Sequence, residues 1–448
     1  MKTIIASAFL VGSLLATTAR AQLTPPAGSA PTRQALIEQA LTKSYALANN
    51  QAEQRKVQIE KQGLKNQYLP EITINPTYTH LDRDISIILP RLPYQPLPKE
   101  VYSGPYELEQ QLQPQNILKA TVQANMLLFS GTKIPTLSKA LSFKEQAIGA
   151  LADKERMTII RDVTLAYDQL GLIAQSEQVL DEADKRLAEQ VRFINKAVKE
   201  GLATPYDRSK VDLAVQDLRA KRVDLNGKRQ LALARLTQLT GVPADQLSAI
   251  RPELTRLVSD MSVASVDNRP ELKSLELARE ATRYRQKATL SGYLPQVYAF
   301  GKNELYRKDL SAIEPYWYAG VGVRWTLFDK FASRTERRTA QQDLDISQNT
   351  LAQTRDLLTL NLQKSRSEMA TANELVDVAQ QKVGLARKAL DIATRQYEQG
   401  LIRITERLEA ETDYQKAELD YVQTIASQRA AQVAQLEATG TLTITDIN

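Results

Sequence analysis

No cysteine occurs anywhere in the 448 residues. That excludes a disulfide framework, thiolate metal sites, a cysteine nucleophile and a lipid-modified N-terminal cysteine. Histidine is nearly absent as well: His80 stands alone, so paired-histidine metal hydrolysis and a Ser-His triad at a second site have almost no material to work with. Charge of one sign is not in excess. Lys and Arg number 58 against 52 Asp and Glu, for a net charge of +6, too mild in a chain of this length for a dedicated nucleic-acid binder. Walker and zinc-ligand patterns are missing. The glycine pair Gly320-Val321-Gly322 lies inside a strand-like stretch rather than before a helix, so it carries no dinucleotide signal. These absences point away from an enzyme and predict neither cofactor nor metal.

Long apolar runs are also missing, with one short exception. Lys2, an apolar stretch from Ile4 to Leu15 and the small residues Ala19-Arg20-Ala21 form a predicted secretory signal, cleaved before Gln22. The run is too short to span a bilayer. Loss of Lys2 and Arg20 with it would lower the net charge from +6 to +4. Elsewhere no stretch approaches 18 consecutive apolar residues, so no membrane-spanning helix is expected in the mature chain.

What is present is a duplication. Leu128-Phe129 returns as Leu327-Phe328, Gly201-Leu202 as Gly400-Leu401 and Thr240-Gly241 as Thr439-Gly440, each 199 positions later. Tyr68-Leu69-Pro70 returns as Tyr293-Leu294-Pro295 at 225, so the first half carries 26 extra residues between that tripeptide and the Leu-Phe pair. Tandem repetition at this scale suggests one structural unit used twice around a pseudo-symmetric assembly. The expected organisation is a signal over 1–21, a first repeat over 22–266 and a second over 267–448.

Within each repeat the texture changes in the same order. A helix is predicted from Thr32 to about Asn66, where helix formers run without Pro or Gly until Gly63. Alternating β-branched, aromatic and polar residues then predict strands over about 71–81 and 117–129, and again over 296–306 and 316–328. A Pro-rich insertion, Asp84 to Pro114, separates the first two; it could cover a pore or be a plain surface loop. Very long helices follow, from about Thr132 to Lys199 and Ala332 to Gln399, rods of about 100 Å. Leu187, Val191, Ile194 and Val198, and their counterparts Ala386, Leu390, Ala393 and Tyr397, step by 4, 3, 4, the spacing of a coiled-coil seam. Glycine-led turns over about 200–205 and 399–405 return each rod as a second helix, to about Leu239 and Ala438. The segment 242–266 reads as an irregular element beside the helices. The predicted fold class is therefore α+β and mostly α.

Four strands cannot close a barrel, and an open edge in lipid leaves backbone groups unsatisfied at several kcal/mol each. If these strands meet membrane the chain must oligomerise, with eight strands from two copies or twelve from three. The same aromatics could instead fill a soluble β-sandwich. A periplasmic coiled-coil adaptor or scaffold without a pore would explain the signal and rods, but not the aromatic strands repeated in phase.

Over essentially the whole mature chain these features resemble the TolC-like outer membrane efflux family. The resemblance rests on the duplicated plan, Tyr-Leu-Pro before the odd strands, Trp325-Thr326-Leu327-Phe328-Asp329 closing the last, Asn268-Arg269-Pro270-Glu271-Leu272 opening the second half, and the two tip turns. It implies a homotrimer in which twelve strands form one outer-membrane barrel, embedded in lipid, above a periplasmic α-barrel. It also implies a periplasmic adaptor (membrane fusion) protein and an inner-membrane pump of the RND or ABC type, with no nucleic acid involved. The family's gate maps to Glu406 and Glu409, followed by Ala410. From their spacing alone the two share a helix face and could equally be a solvated stripe. A latch aspartate maps to Asp207, which could pair with Arg403 or simply cap its helix. The family's aromatic partner for it falls on Glu398 and its arginine on Ile402. Gly201, Leu202, Ala203, Gly400, Leu401 and Ile402 form apolar tips, suited to docking the adaptor or to packing between neighbouring hairpins. A glycosidase-like use of Glu406 and Glu409 lacks pocket-forming loops.

Overall fold

The computed structural model describes residues 31–90, 107–257, 265–310 and 314–445. The predicted signal and the centre of the Pro-rich insertion, 91–106, lie outside the described residues. Helix dominates: α1 (Arg33–Lys43), α2 (Tyr45–Asn66), α3 (Lys133–Lys199), α4 (Pro205–Thr240), α5 (Ala244–Leu247), α6 (Pro270–Ala288), α7 (Ala332–Glu398) and α8 (Ile404–Thr439). The strands are β1 (Glu71–His80), β2 (Ile85–Pro90), β3 (Glu107–Gln113), β4 (Asn116–Phe129), β5 (Gln296–Glu304) and β6 (Trp317–Arg324). Both long rods, α3 and α7, contain 67 residues, and both return helices contain 36.

Two expectations are corrected. The single N-terminal helix is two, divided at Ser44, whose ψ of 115° leaves the helical region while its hydroxyl accepts from the N–H of Leu47 and caps α2. The Pro-rich insertion is not free of strand: β2 and β3 pair antiparallel as a separate two-stranded ribbon beyond the β1–β4 pair. Pro90 ends β2, prolines at 93, 96, 98 and 105 lie between the two segments, and the consecutive Ile87-Ile88-Leu89 lack the alternation that marks a strand.

The main sheet has order β1-β4-β5-β6, antiparallel throughout, so β1 and β6 are its open edges. Register divides its side chains cleanly. One face carries Ile72, Ile74 and Tyr78 of β1, Leu118, Val122 and Met126 of β4, and Trp317, Val321 and Val323 of β6. Ile72, Ile74, Tyr78, Val321 and Val323 are 63–67% exposed, an apolar surface over which none of the described residues packs closely. The other face carries Glu71, Thr73, Asn75, Lys119, Thr121, Gln123 and Asn125, with Tyr298, Phe300, Lys302, Glu304, Tyr318 and Arg324. There Thr121 and Lys302 hold the Glu304 carboxylate at 2.7 and 2.8 Å, and Lys119 meets Glu314 at 2.7 Å. Gly320 and Gly322 lie beneath the rings of Phe300 and Tyr298, where an added Cβ would meet ring atoms at 2.9 and 2.5 Å. Those rings cover the bare backbone that strand glycines leave.

The sheet hands over to the rods at tight corners with left-handed backbone, φ 71° at Thr132 and 66° at Phe331. Each rod then runs as a coiled-coil partner. On α7 the buried row Leu362, Ser365, Met369, Ala372, Val376 and Ala379 alternates steps of 3 and 4, facing α8. Two cores hold the rods together. The larger lies at the waist, where Leu36 and Ile37 of α1 meet Val163, Leu170 and Ile173 of α3, Leu236 of α4 and Val433 of α8. The second lies near the tips and contains the predicted seam residues Leu187 and Ile194 with Val211, Leu218 and Ile404; Val191, Val198 and Tyr397 pack at its margin. Among the described residues no helix is long and apolar enough to cross a membrane.

Candidate functional site

Each rod ends the same way. The N–H of Gly201 bonds to Val198 O at 3.2 Å and that of Leu202 to Ala197 O at 2.8 Å; the N–H of Gly400 bonds to Tyr397 O at 3.0 Å and that of Leu401 to Gln396 O at 2.9 Å. This doubly bonded stop needs a left-handed residue after the helix, supplied by Gly201 at φ 73° and Gly400 at φ 71°. It throws Leu202 and Leu401 outward, 78% and 68% exposed, while Ala203 tucks into the tip core. Ile402 is half-buried.

At the first tip, Asp207 is committed locally. Its carboxylate accepts from the N–H of Thr204 at 2.9 Å and from the Thr204 hydroxyl at 2.7 Å, while Thr204 Oγ1 accepts in return from the N–H of Asp207. This is a complete capping box. These bonds hold the Asp207 carboxyl below its ordinary value, and the positive charge of Arg403 adds to the effect. No ion pair joins Asp207 to Arg403 among the described residues, and the capping box is the contact that Asp207 makes. Thr204→Ala is expected to cost about 1 kcal/mol in the tip, read as faster amide exchange at the start of α4. Because the folded carboxyl titrates below the unfolded one, the cap's contribution is present at neutral pH and is lost as the pH falls through that lowered value. Exchange in the parent and the variant should therefore converge in acid.

Glu398 is exposed, whereas Tyr397 turns inward, its ring 5.6 Å from that of Phe193. Burial raises the Tyr397 hydroxyl pKa. The aromatic side chain that faces the first hairpin is therefore Tyr397, one position earlier than the sequence alignment suggested.

Past the second tip, α8 has two polar faces. Glu406 accepts from the N–H of Arg403 at 3.4 Å, and with Glu409 it is exposed along an open groove between α7 and α8 that Asp413 extends. The steps 406, 409, 413 put three carboxylates on one stripe; Asp413, not singled out from the sequence, was signalled by that continued spacing. The opposite face is buried against α3 and α4. Arg186 Nε donates to Glu411 at 2.8 Å, the Arg186 guanidinium lies 5.0 Å from the Tyr414 ring, and Lys221 donates to Gln415 at 2.7 Å. Arg407 lies 3.9 Å from Glu411, and burial lowers its pKa. The carboxylates line an open groove on a helix surface, and among the described residues no three His, Asp or Glu side chains are grouped so that they could hold a metal ion.

Residues 263–441 match the family model described as outer membrane efflux protein. By that match the second repeat resembles the outer membrane efflux family. The chain's fold aligns with that of the outer-membrane channel OprN at a TM-score of 0.74 and 17% identity, over 92% of this chain and 90% of that one. The outer membrane protein VceC of Vibrio cholerae aligns at 0.73 and 17%, over 91% and 96%. The MtrE outer membrane channel of Neisseria gonorrhoeae, in an open state, aligns at 0.69 and 14%, over 92% and 91%. Comparison with the curated proteins gives no match. At these identities the solved channels establish the fold, mostly helical with a small antiparallel sheet. The family match covers the second repeat, and the shared fold covers nearly the whole chain.

Proposed function

We propose that three copies form a passive conduit from periplasm to exterior, the outer-membrane component of a tripartite efflux or type I secretion system. The observation that carries this is the main sheet, with an apolar outward face, a polar inward face and two open edges, joined to helical hairpins of about 100 Å. An open edge is not tolerated in lipid, and twelve strands from three copies remove it. Trp317 and Trp325 stand eight residues apart in sequence, about the height of an outer-membrane apolar band. A soluble periplasmic scaffold gives that exposed apolar face no purpose. The rods carry a further stripe for neighbouring copies, in which Leu357, Leu360, Leu375, Val378, Leu385 and Ile392 of α7 are exposed.

In this reading the tandem units 22–266 and 267–448 give each protomer two similar hairpins around the tube. The tips, Gly201 to Ala203 and Gly400 to Ile402, are the docking surface for a periplasmic adaptor. The adaptor links the conduit to an inner-membrane pump of the RND or ABC type, which supplies the energy. Asp207 and Arg403, close enough to interact through their charges, are the candidate latch. Glu406 and Glu409 line the aperture, where three-fold symmetry gathers six carboxylates into a ring that favours cations. Glu406→Gln with Glu409→Gln is therefore expected to reduce the cation-to-anion permeability ratio several-fold, measured from reversal potentials in a salt gradient. The assembly itself is tested by membrane fractionation and native mass spectrometry in detergent. A trimer in the outer-membrane fraction is expected; a soluble periplasmic monomer would overturn the reading.

A further inference from the structure

We infer that Glu71 of one copy and Arg324 of the next form an ion pair across each seam of the barrel and set the register in which the copies join. This rests on the trimeric reading above and adds what that reading leaves open, the alignment of the two edge strands.

Both residues stand on open edges, Glu71 at the first position of β1 and Arg324 at the last of β6. Both face the same groove on the polar side of the sheet, together with Tyr298 and Phe300. Neither has an ion-pair partner among the described residues; Arg324 rests 5.5 Å from the Tyr298 ring. The two edges run in opposite directions, so β6 of one copy beside β1 of the next continues the antiparallel alternation. Each copy thus offers an acid on one edge and a base on the other at the same end of the strands, which is the complementarity a head-to-tail ring requires.

Register narrows the choice further. A slip of one residue would turn Val321 and Val323 to the side opposite Ile72 and Ile74, so only even registers are allowed. Two of these pair all eight residues of β6. In the first, Arg324 faces Glu71, Val323 faces Ile72, Val321 faces Ile74 and Trp317 faces Tyr78. In the second, shifted by two, Arg324 faces Thr73 and Trp317 faces His80. Within the protomer Glu71, Asn125, Phe300 and Gly320 form one row. The first register then steps four residues per copy, a strand tilt of about 35°, and the second steps six, about 46°. These values flank the usual range of about 35–45°, so tilt leaves both open. Charge and the aromatic pair select the first. An exposed ion pair adds little stability on its own, but it discriminates between two registers that backbone pairing leaves nearly equal.

The absence of native cysteine makes the seam directly testable. In the full-length protein, Ile74→Cys with Val321→Cys reports the first register and Ile74→Cys with Val323→Cys the second, each treated with a short bis-methanethiosulfonate, which forms a disulfide with each cysteine and releases methanesulfinate, and compared on non-reducing denaturing gels. The expected result is covalent dimer and trimer from the first pair and little from the second. In addition, Glu71→Arg or Arg324→Glu alone should lower the temperature at which the trimer dissociates in detergent, and the double swap should restore it. Trimers that cross-link through the second pair, or through neither, or that the swap fails to rescue, would overturn the inference and leave the conduit standing. Absence of trimers in the parent by native mass spectrometry would remove the conduit reading itself.

Discussion

Arg429→Ala is expected to destabilise the protein by about 3–5 kcal/mol, because it leaves a buried carboxylate without its partner. Arg429 donates to both oxygens of Asp168, at 2.8 and 3.0 Å, and to the carbonyl of Thr255 at 3.2 Å. The Arg429 and Asp168 side chains are each only 6% exposed. The pair ties α8 to α3 at the waist, and α1 joins through Arg33, 4.0 Å from Asp168. Arg33 is too distant to replace the lost bidentate contact, and burial already works against its charge. Removing both partners is a different matter. Asp168→Leu with Arg429→Met removes the buried pair together and leaves only Arg33, 4.0 Å from Asp168 in the parent, without its carboxylate, so it should recover part of the loss. Denaturant unfolding of the parent, the single variant and the double variant measures this, with the double variant clearly more stable than the single.

Gly171→Ala should destabilise by about 1–3 kcal/mol, opposite in sign to its effect in an exposed helix, where alanine gains about 1 kcal/mol over glycine. A Cβ at 171 would stand 2.7 Å from Leu254 Cδ2 and 2.9 Å from the carbonyl oxygen of Pro252. The strap, residues 251–257 lying along α3, cannot easily retreat. Gln175 donates to Leu254 O at 3.1 Å, and Gln428 both accepts from and donates to the backbone of Leu257, at 3.2 and 2.6 Å. Thermal unfolding reads the loss, and faster proteolysis between Arg251 and Leu257 would locate it in the strap. An unchanged melting temperature would mean that the strap is held less firmly than these bonds suggest.

Gly171 shows where sequence reading stops. The long helices were legible because 3-and-4 spacing, helix formers and left-handed glycines all point the same way over 67 residues. The tip turns were legible because Gly201 and Gly400 sit where a helix must reverse. The break at Ser44 was not, because serine is tolerated in a helix and only the packing of α1 at the waist favours its use as a cap. The β2–β3 ribbon was hidden by the prolines between its strands and by the consecutive Ile87-Ile88-Leu89, which lack alternation. At the tips, alignment on the glycine carried the family's aromatic position onto Glu398, whereas the seam spacing pointed to Tyr397, and it is Tyr397 that packs against Phe193. The strap's approach to Gly171 joins segments some 80 positions apart, and no local pattern reports it. The acidic stripe was found from spacing and resemblance, and its third member followed from the same period one step further.

The central claim is that copies of this chain enclose a continuous water-filled path. Purified mature trimers inserted in a planar lipid bilayer test it most directly, by single-channel current under an applied voltage. The account predicts discrete, mainly closed, cation-selective steps of uniform size. Properly folded trimers that insert and carry no current at any voltage or salt concentration would contradict it.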